Sequence, residues 1–202
     1  MSPHAPFSRA TRERGVSLIV VLLILIVVSV LGVGSAQLSI MAERGARNDR
    51  DMQVASLAAE EALADAEYDI YGPNTSTHER LKLFDPFNNS AFVTGCGTSS
   101  APNEGLCALV ESSTPAWLTV DFTATGGNAR TTEFGSHTGR GMATGSAGIQ
   151  PAKLPRYVIE PIPDFGNRDL SRQRYIYRVT AMGFGPREDI QAVSQILYRK
   201  YE

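Results

Sequence analysis

The sequence predicts an α+β fold in which a long N-terminal helix packs on a C-terminal antiparallel sheet. Residues 16–36 form an uncharged apolar run, and residues 37–70 continue without proline and with helical periodicity. The carboxyl-terminal part contains three strand-like segments separated by turn residues. Because an amphipathic helix needs a surface to cover, the helical and strand patterns support one another.

The apolar run reads VSLIVVLLILIVVSVLGVGSA and contains three serines, whose hydroxyls can bond back to their own helix. A helix of about 21 residues spans about 32 Å, close to the thickness of a bilayer's hydrocarbon core. The run is therefore predicted to be a membrane segment. Gly32 and Gly34 either let this helix stretch and admit close neighbours, or are ordinary membrane glycines.

Residues 1–15, MSPHAPFSRATRERG, are short and polar, as is typical of a leader. Three processing schemes are open: an uncut anchor, secretory cleavage after the small residues 34–36, or cleavage at Gly15. Ordinary signal peptides have apolar regions of roughly 7 to 15 residues, so the longer run argues against its removal.

The continuation of the helix has two faces. Small and apolar residues recur at intervals of three and four: Met52, Ala55, Ala59, Ala62, Leu63, Ala66 and Ile70. The opposite face is predicted to carry Glu60, Glu61, Asp65, Glu67 and Asp69. The segment ends at Gly72–Pro73, a typical helix stop signal. Its alanine-rich face favours close packing against a sheet or another helix over an unpacked helical stalk.

The middle of the chain is rich in Gly, Ser, Thr and Asn, and loops are predicted to dominate it. Short strand-like runs occur at 91–94, 106–110 and 117–123, and residues 126–148 are predicted to form an exposed excursion. The better-patterned strand candidates follow at 156–162, 174–184 and 190–201. Within the third run, Trp117 and Phe122 are either core residues or anchors of a contact.

Arginines flank both sides of the apolar run, so the positive-inside rule leaves its orientation undecided. Cys96 and Cys107 favour placing the carboxyl-terminal domain outside the cytosol, because a disulfide between them would persist only in an oxidising compartment. Such a loop of about 12 residues would stabilise the fold by roughly 3 kcal/mol. Two free buried thiols are the alternative.

Nothing in the sequence indicates an enzyme. His4 lies in the leader, and His78 and His137, interpreted as solvated loop residues, have no partner at ligand spacing. The GxSxG, HExxH and P-loop patterns are absent. No feature brings together any two of the candidate carboxylates Asp85, Glu104, Glu111 and Asp121. No catalytic residue, metal site or cofactor is therefore predicted.

The junction Arg12-Glu-Arg-Gly15, followed by the apolar run from Val16, resembles the class III signal of type IV prepilins and pseudopilins. The resemblance implies cleavage after Gly15 by prepilin peptidase and N-methylation of Val16. It also implies a pilin-like fold with four parts: a cleaved leader (1–15), a transmembrane and filament-core helix (16–36), its amphipathic half (37–72) and a periplasmic loop-rich and sheet domain (73–202).

One position departs from the major pilins, which generally carry glutamate as the fifth mature residue. Here that position is Val20, and the first mature residue is not the usual phenylalanine. In the family this carboxylate is thought to neutralise a neighbour's buried amino terminus, and an unpaired buried charge costs several kcal/mol. With the alanine-rich stretch 58–67, the departure resembles the PilX group of minor pilins; minor pseudopilin K of type II secretion also lacks the glutamate.

The resemblance implies a minor pilin that primes assembly of a type IV pilus and sits at or near its tip. Implied partners are other minor pilins and pilus subunits, prepilin peptidase, the inner-membrane assembly machinery and a large tip adhesin. The subunit would be held in the inner membrane before assembly and be extracellular afterwards. A pseudopilin K-like tip subunit of a secretion pseudopilus and an uncut single-pass periplasmic binding protein are the alternatives. Twitching motility and cell adhesion are roles of whole pili.

Overall fold

The computed structural model describes residues 16–72, 80–99, 101–110, 114–145, 149–166 and 172–200. Two helices are named here, α1 (Val16–Tyr71) and α2 (Ala116–Thr119), and single 3-10 turns occur at Leu81–Leu83 and Gly126–Asn128. The strands are β1 (Thr132–Glu133), β2 (Arg156–Pro163), β3 (Tyr175–Phe184) and β4 (Gln191–Tyr198). The chain divides into two compact units between Arg47 and Asn48.

Helix α1 is continuous over 56 residues, as the sequence predicts. It ends at Tyr71, where the Gly72 N–H donates a 2.8 Å hydrogen bond to the Tyr68 carbonyl. Gly72 has a φ of +77°, the left-handed conformation with which glycine commonly terminates a helix. The helix therefore stops next to the predicted stop signal.

The four strands form one antiparallel sheet in the order β1-β2-β3-β4, so every neighbour in the chain is also a neighbour in space. The β2–β3 ladder runs from Arg156↔Met182 to Pro163↔Tyr175, which confirms the predicted sheet. β1 was not predicted as a strand, because it is only two residues long and has no alternating pattern.

One face of the sheet packs on the carboxyl-terminal part of α1. The core there contains Ala62, Leu63, Ala66, Ile70, Phe84, Phe92, Leu106, Tyr157, Ile159, Tyr177, Val179 and Ala181. The closest approach is at Gly183, where an added Cβ would lie 2.1 Å from the Ala55 carbonyl oxygen and 2.3 Å from the Ala59 nitrogen. The alanines of α1 and this glycine thus let two backbones meet.

The opposite face of the sheet is covered, over β2, by the loops that carry the disulfide. Cys96, Cys107, Phe122 and Val158 form a second buried cluster, with Trp117 packed against it. Segment 105–107 borders β2 in parallel: the Cys107 N–H donates to the Ile159 carbonyl (2.9 Å), and the Ile159 N–H donates to the Gly105 carbonyl (2.9 Å).

The middle region corrects three sequence expectations. Runs 91–94 and 106–110 make isolated bridges, Val93↔Cys107 and Leu106↔Ile159, rather than strands. Run 117–123 contains most of helix α2 followed by a turn. The described part of 126–148 is not a wholly exposed excursion, because it supplies β1 and buries Phe134 and Thr138. These runs are too short for periodicity to separate strands from turns.

Candidate functional site

The first half of α1 presents an apolar surface on all sides. The large hydrophobic side chains from Leu18 to Val33 are each between 47% and 66% exposed. The Ser29 and Ser35 hydroxyls donate to the Leu25 (2.7 Å) and Leu31 (2.8 Å) carbonyls, so neither interrupts this surface. Burying each such residue is worth about 1.5–3 kcal/mol, so the segment requires lipid or neighbouring helices around it. Among the described residues, α1 is the one helix apolar and long enough to cross a membrane.

The residues that the sequence marks for processing lie at the start of this helix. Gly15 falls outside the described residues, and Val16 is the first residue of α1. Val20 lies on the helix surface and is 47% exposed. No charged residue occurs between Val16 and Ala42, and the first acid along the helix is Glu43. The apolar surface therefore contains no carboxylate.

In the second unit, two acids that the sequence placed on the exposed face of α1 are instead buried. Asp65 and Asp69 are both 0% exposed, whereas Met52, predicted to face the core, is 44% exposed. The buried stripe is wider than the apolar pattern because each carboxylate meets a matching donor. Helical periodicity gives the direction of a side chain but not the partner that makes its burial tolerable.

Asp69 pairs with Arg80 at the centre of this interface. The Arg80 Nε donates to both Asp69 oxygens at 2.8 and 2.9 Å, and its Nη1 donates to the Pro102 carbonyl at 2.6 Å. The Tyr157 hydroxyl donates to Asp69 at 3.2 Å, and Arg80 Nη2 donates to Thr132 Oγ1 at 3.2 Å. The ion pair and its hydrogen bonds thus join α1 to β1, β2 and the loop that contains Pro102.

Burial raises the pKa of the Tyr157 phenol well above its ordinary value, and the Asp69 carboxylate raises it further. For Arg80, burial lowers the pKa but Asp69 more than offsets this, so the net pKa is raised. Arg80 therefore stays cationic, and Tyr157 stays a neutral hydrogen-bond donor to Asp69. The chemistry of this cluster is structural, since neither group can exchange a proton near neutral pH.

Asp65 is held by a separate set of donors. Its Oδ2 accepts the Gly135 N–H at 2.8 Å, and its Oδ1 accepts the Thr138 hydroxyl. The Arg140 Nη1 lies 3.8 Å from Asp65 Oδ1. Burial raises the pKa of the Asp65 carboxyl, and the hydrogen bonds from Thr138 and Gly135 oppose that rise. The 134–140 loop is fastened to α1 by this acid.

Two further buried acids lie along β2 and the loops beside it. Glu104, one of the four candidate carboxylates of the sequence, has His137 Nε2 3.6 Å and Arg156 Nη2 3.9 Å from its oxygens. The His137 side chain is 14% exposed, so the prediction of a solvated histidine is wrong. Glu160 accepts from Arg178 Nε at 3.0 Å and from the Ala116 N–H at 3.2 Å, which holds the start of α2.

The predicted disulfide between Cys96 and Cys107 is formed. Cys96 has a φ of +69°, and both cysteines are fully buried beside Phe122 and Val158. The bond closes the loop whose residues 105–107 border β2. It therefore fixes the segment that pairs with β2 at Ile159.

Two cavities in the described part of the chain have linings of mostly small and apolar residues. A cavity of about 320 Å³ is lined by Thr94, Gly95, Ala108, Val110, Thr114, Ala116 and Thr119. A groove of about 220 Å³ beside α1 is lined by Val54, Leu57, Ala58, Glu61, Met142, Ile149 and Pro151. Neither lining contains a histidine or a pair of carboxylates, and the described residues contain no group of three potential metal ligands. His78 and Glu111 lie outside the described residues.

An exposed apolar half-helix that continues into a helix seated on an antiparallel sheet defines a type IV pilin-like subunit. Two family models match the chain, PilX N-terminal over residues 14–64 and Type IV pilus assembly protein PilX C-term over residues 103–200. The chain belongs to the PilX family of type IV pilus minor pilins. No curated protein and no solved structure matches it. Membership makes it a structural pilus component that interacts with other pilus subunits.

Proposed function

We propose that this minor pilin primes assembly of a type IV pilus and sits at or near the pilus tip. The observation that carries the proposal is Val20, together with the absence of any carboxylate from residues 16–42 of an otherwise exposed apolar helix. Both matched models describe PilX, which favours the pilus over a secretion pseudopilus.

The physical argument concerns the charge on a neighbour's amino terminus. In a filament core, that ammonium group is surrounded by apolar helices, and an unpaired charge there costs several kcal/mol. A subunit with Val20 offers no carboxylate to a neighbour. Its favoured position is the filament end, because on one side there is no neighbouring subunit whose amino terminus would need a carboxylate.

Before assembly, the apolar half of α1 holds the subunit in the inner membrane with the disulfide-bonded domain in the periplasm. Extraction exchanges lipid contacts for helix contacts, so the residues from Leu18 to Val33 stay out of water in both states. The proposal includes cleavage after Gly15 by prepilin peptidase, methylation of Val16, and contacts with other minor pilins, the inner-membrane assembly machinery and a tip adhesin.

The processing step is tested by intact mass and amino-terminal sequencing of the full chain from a host that has prepilin peptidase. We expect a methylated amino terminus at Val16. A terminus at Gln37 would mean a secreted soluble domain, and a terminus at Met1 an uncut anchor; either would exclude the pilin function. A Gly15 substitution is expected to abolish processing and piliation together, and normal pili from an uncleaved variant would contradict the proposal.

Tip placement is tested separately by labelling. An epitope inserted between Gly126 and Gly127, where added atoms meet open space, marks the subunit without touching the core. Sheared pili from the complemented host are labelled with gold-conjugated antibody. Label at filament ends is expected, and label spread evenly along the shafts would overturn the tip position while leaving family membership intact.

A further inference from the structure

One edge of the sheet is formed by β4, and the described residues leave it uncovered. β4 pairs with β3 residue for residue, from Tyr177↔Tyr198 to Phe184↔Gln191, and lies at the end of the strand order. Among the described residues, no backbone hydrogen bond joins 191–198 to any segment other than β3. Alternate residues of an edge strand direct their N–H and C=O groups away from the sheet, so β4 offers a row of unused donors and acceptors.

Natural sheets protect such edges with charged residues, proline, bulges, short strands or a covering loop. β4 has the sequence QAVSQILY, with no charged residue and no proline, and its one-to-one register contains no bulge. At the other side of the sheet, β1 is two residues long and contains Glu133, whose carboxylate pairs with Arg156 at 2.6 Å. Segment 105–107 pairs with β2 at Ile159 on the same side. In the part of the chain that the structure describes, the β1 side of the sheet is thus protected and the β4 edge is not.

Beside the exposed Gln191 and Gln195, β4 presents exposed apolar side chains on both faces of the sheet. Val193 (51% exposed) and Leu197 (55%) share the face opposite α1, and Ile196 (40%) lies on the α1 side because it pairs with Val179 of the core. An eight-residue edge with exposed apolar groups above and below it is a template for another strand. It is suited to a partner whose side chains are uncharged and apolar.

We infer that β4 is a docking edge on which an extended segment of a different pilus subunit adds as a fifth strand. The inference rests on the proposed function only in taking the partner to be a pilus protein. A second copy of this chain is a poorer occupant, because antiparallel pairing of β4 with itself requires a two-fold axis. Subunits of a filament are related instead by a head-to-tail helical operation.

The edge is tested by photo-crosslinking in the piliated host that supplies the other pilus subunits. The photoreactive residue p-benzoylphenylalanine is placed singly at Val193, Gln195 and Leu197 of the full chain, and crosslinked residues are mapped by mass spectrometry. These three positions share one face of β4. We expect crosslinks to a single segment of one other subunit, with the same two-residue spacing along that segment.

The same residue at Leu118, which is 58% exposed on α2, is the matched control and should not produce this ladder. Leu197→Lys should lower the crosslink yield from Gln195 by about tenfold, whereas Leu118→Lys should leave it unchanged. Crosslinks to a second copy of this chain, to its own segments, to scattered sites or to nothing would overturn the inference. The mature amino terminus and the tip labelling are measured in the same cells. They show whether the proposed function fails separately from the docking edge.

Discussion

Asp69 of α1 and Arg80 form a fully buried ion pair, with the guanidinium Nε 2.8 Å from one carboxylate oxygen and 2.9 Å from the other. They are 11 residues apart in the chain. Arg80 reaches on to Pro102 and Thr132, so the pair links the helix to the loop and sheet on which it sits. The pair lies at the carboxyl-terminal end of α1, two residues before the helix stops at Tyr71.

Removing either partner should leave an uncompensated buried charge. We expect Arg80→Met to lower the free energy of unfolding by about 3–5 kcal/mol, and Asp69→Asn by a similar amount. The double variant should lose less than the sum, because it removes both charges together. Urea unfolding of the full chain in detergent micelles measures all three; strictly additive losses would contradict the coupling.

Gly183 is where β3 and α1 come closest. We expect Gly183→Ala to destabilise the domain by more than about 2 kcal/mol, because the new Cβ would overlap the Ala55 carbonyl and the α1 backbone must move. Gly127→Ala, where the added atom meets open space, is the matched control. Thermal unfolding of both variants provides the comparison, and equal midpoints would refute close backbone packing at this position.

Asp65 should make stability depend on pH. Because burial raises its folded-state pKa above the ordinary value of 3.8, folding favours the protonated form. Stability from this group is fully present below that ordinary value and is lost as pH rises through the folded pKa. Asp65→Asn does not titrate and retains one acceptor for Gly135 and a donor for Thr138.

The free energy of unfolding of Asp65→Asn should therefore increase relative to that of the native chain as pH rises from about 3.8 towards neutrality. Chemical unfolding at a series of pH values measures this difference, in which the other acids cancel. Glu60→Gln, on the exposed face of α1, is the control. A difference that stays flat, or that falls with rising pH, would show that Asp65 is not desolvated.

The disulfide should stabilise the domain measurably. Replacing Cys96 and Cys107 with alanine should cost about 3 kcal/mol, the chain-entropy value for a loop of this length. Since Cys96 has a φ of +69°, glycine at that position in place of alanine should recover part of the loss. Unfolding under non-reducing conditions measures both, and an alanine pair as stable as the native chain would contradict a structural role.

Val20 offers a direct test of tip placement. Val20→Glu supplies the missing carboxylate, so we expect more of the labelled subunit to appear along pilus shafts, away from the ends. In Val20→Gln, the glutamine has nearly the same shape as glutamate but no charge, so this variant should keep the native distribution. Gold labelling of sheared pili measures both distributions. Identical distributions for the two variants would show that tip placement does not depend on the charge at position 20.

Much of the architecture follows from the sequence because it depends on long, regular patterns. The uncharged run, the three- and four-residue spacing of alanines to Ile70 and the alternation in β3 each repeat over many residues, so local physics selects helix or strand. The Cys96–Cys107 disulfide could also be predicted, since two cysteines in a domain outside the cytosol can pair in only one way.

The burial of the charged residues could not be predicted from such regular patterns. Asp65 and Asp69 belong to a helix face that reads as polar, and their burial depends on Thr138 and Arg80, which lie 73 and 11 residues away. The same holds for β1, whose two residues gain their strand conformation only from pairing with β2. Sequence alone determined the helix, the sheet and the family; tertiary structure decided which charges are buried, because burial of a charge is set by partners that only folding brings together.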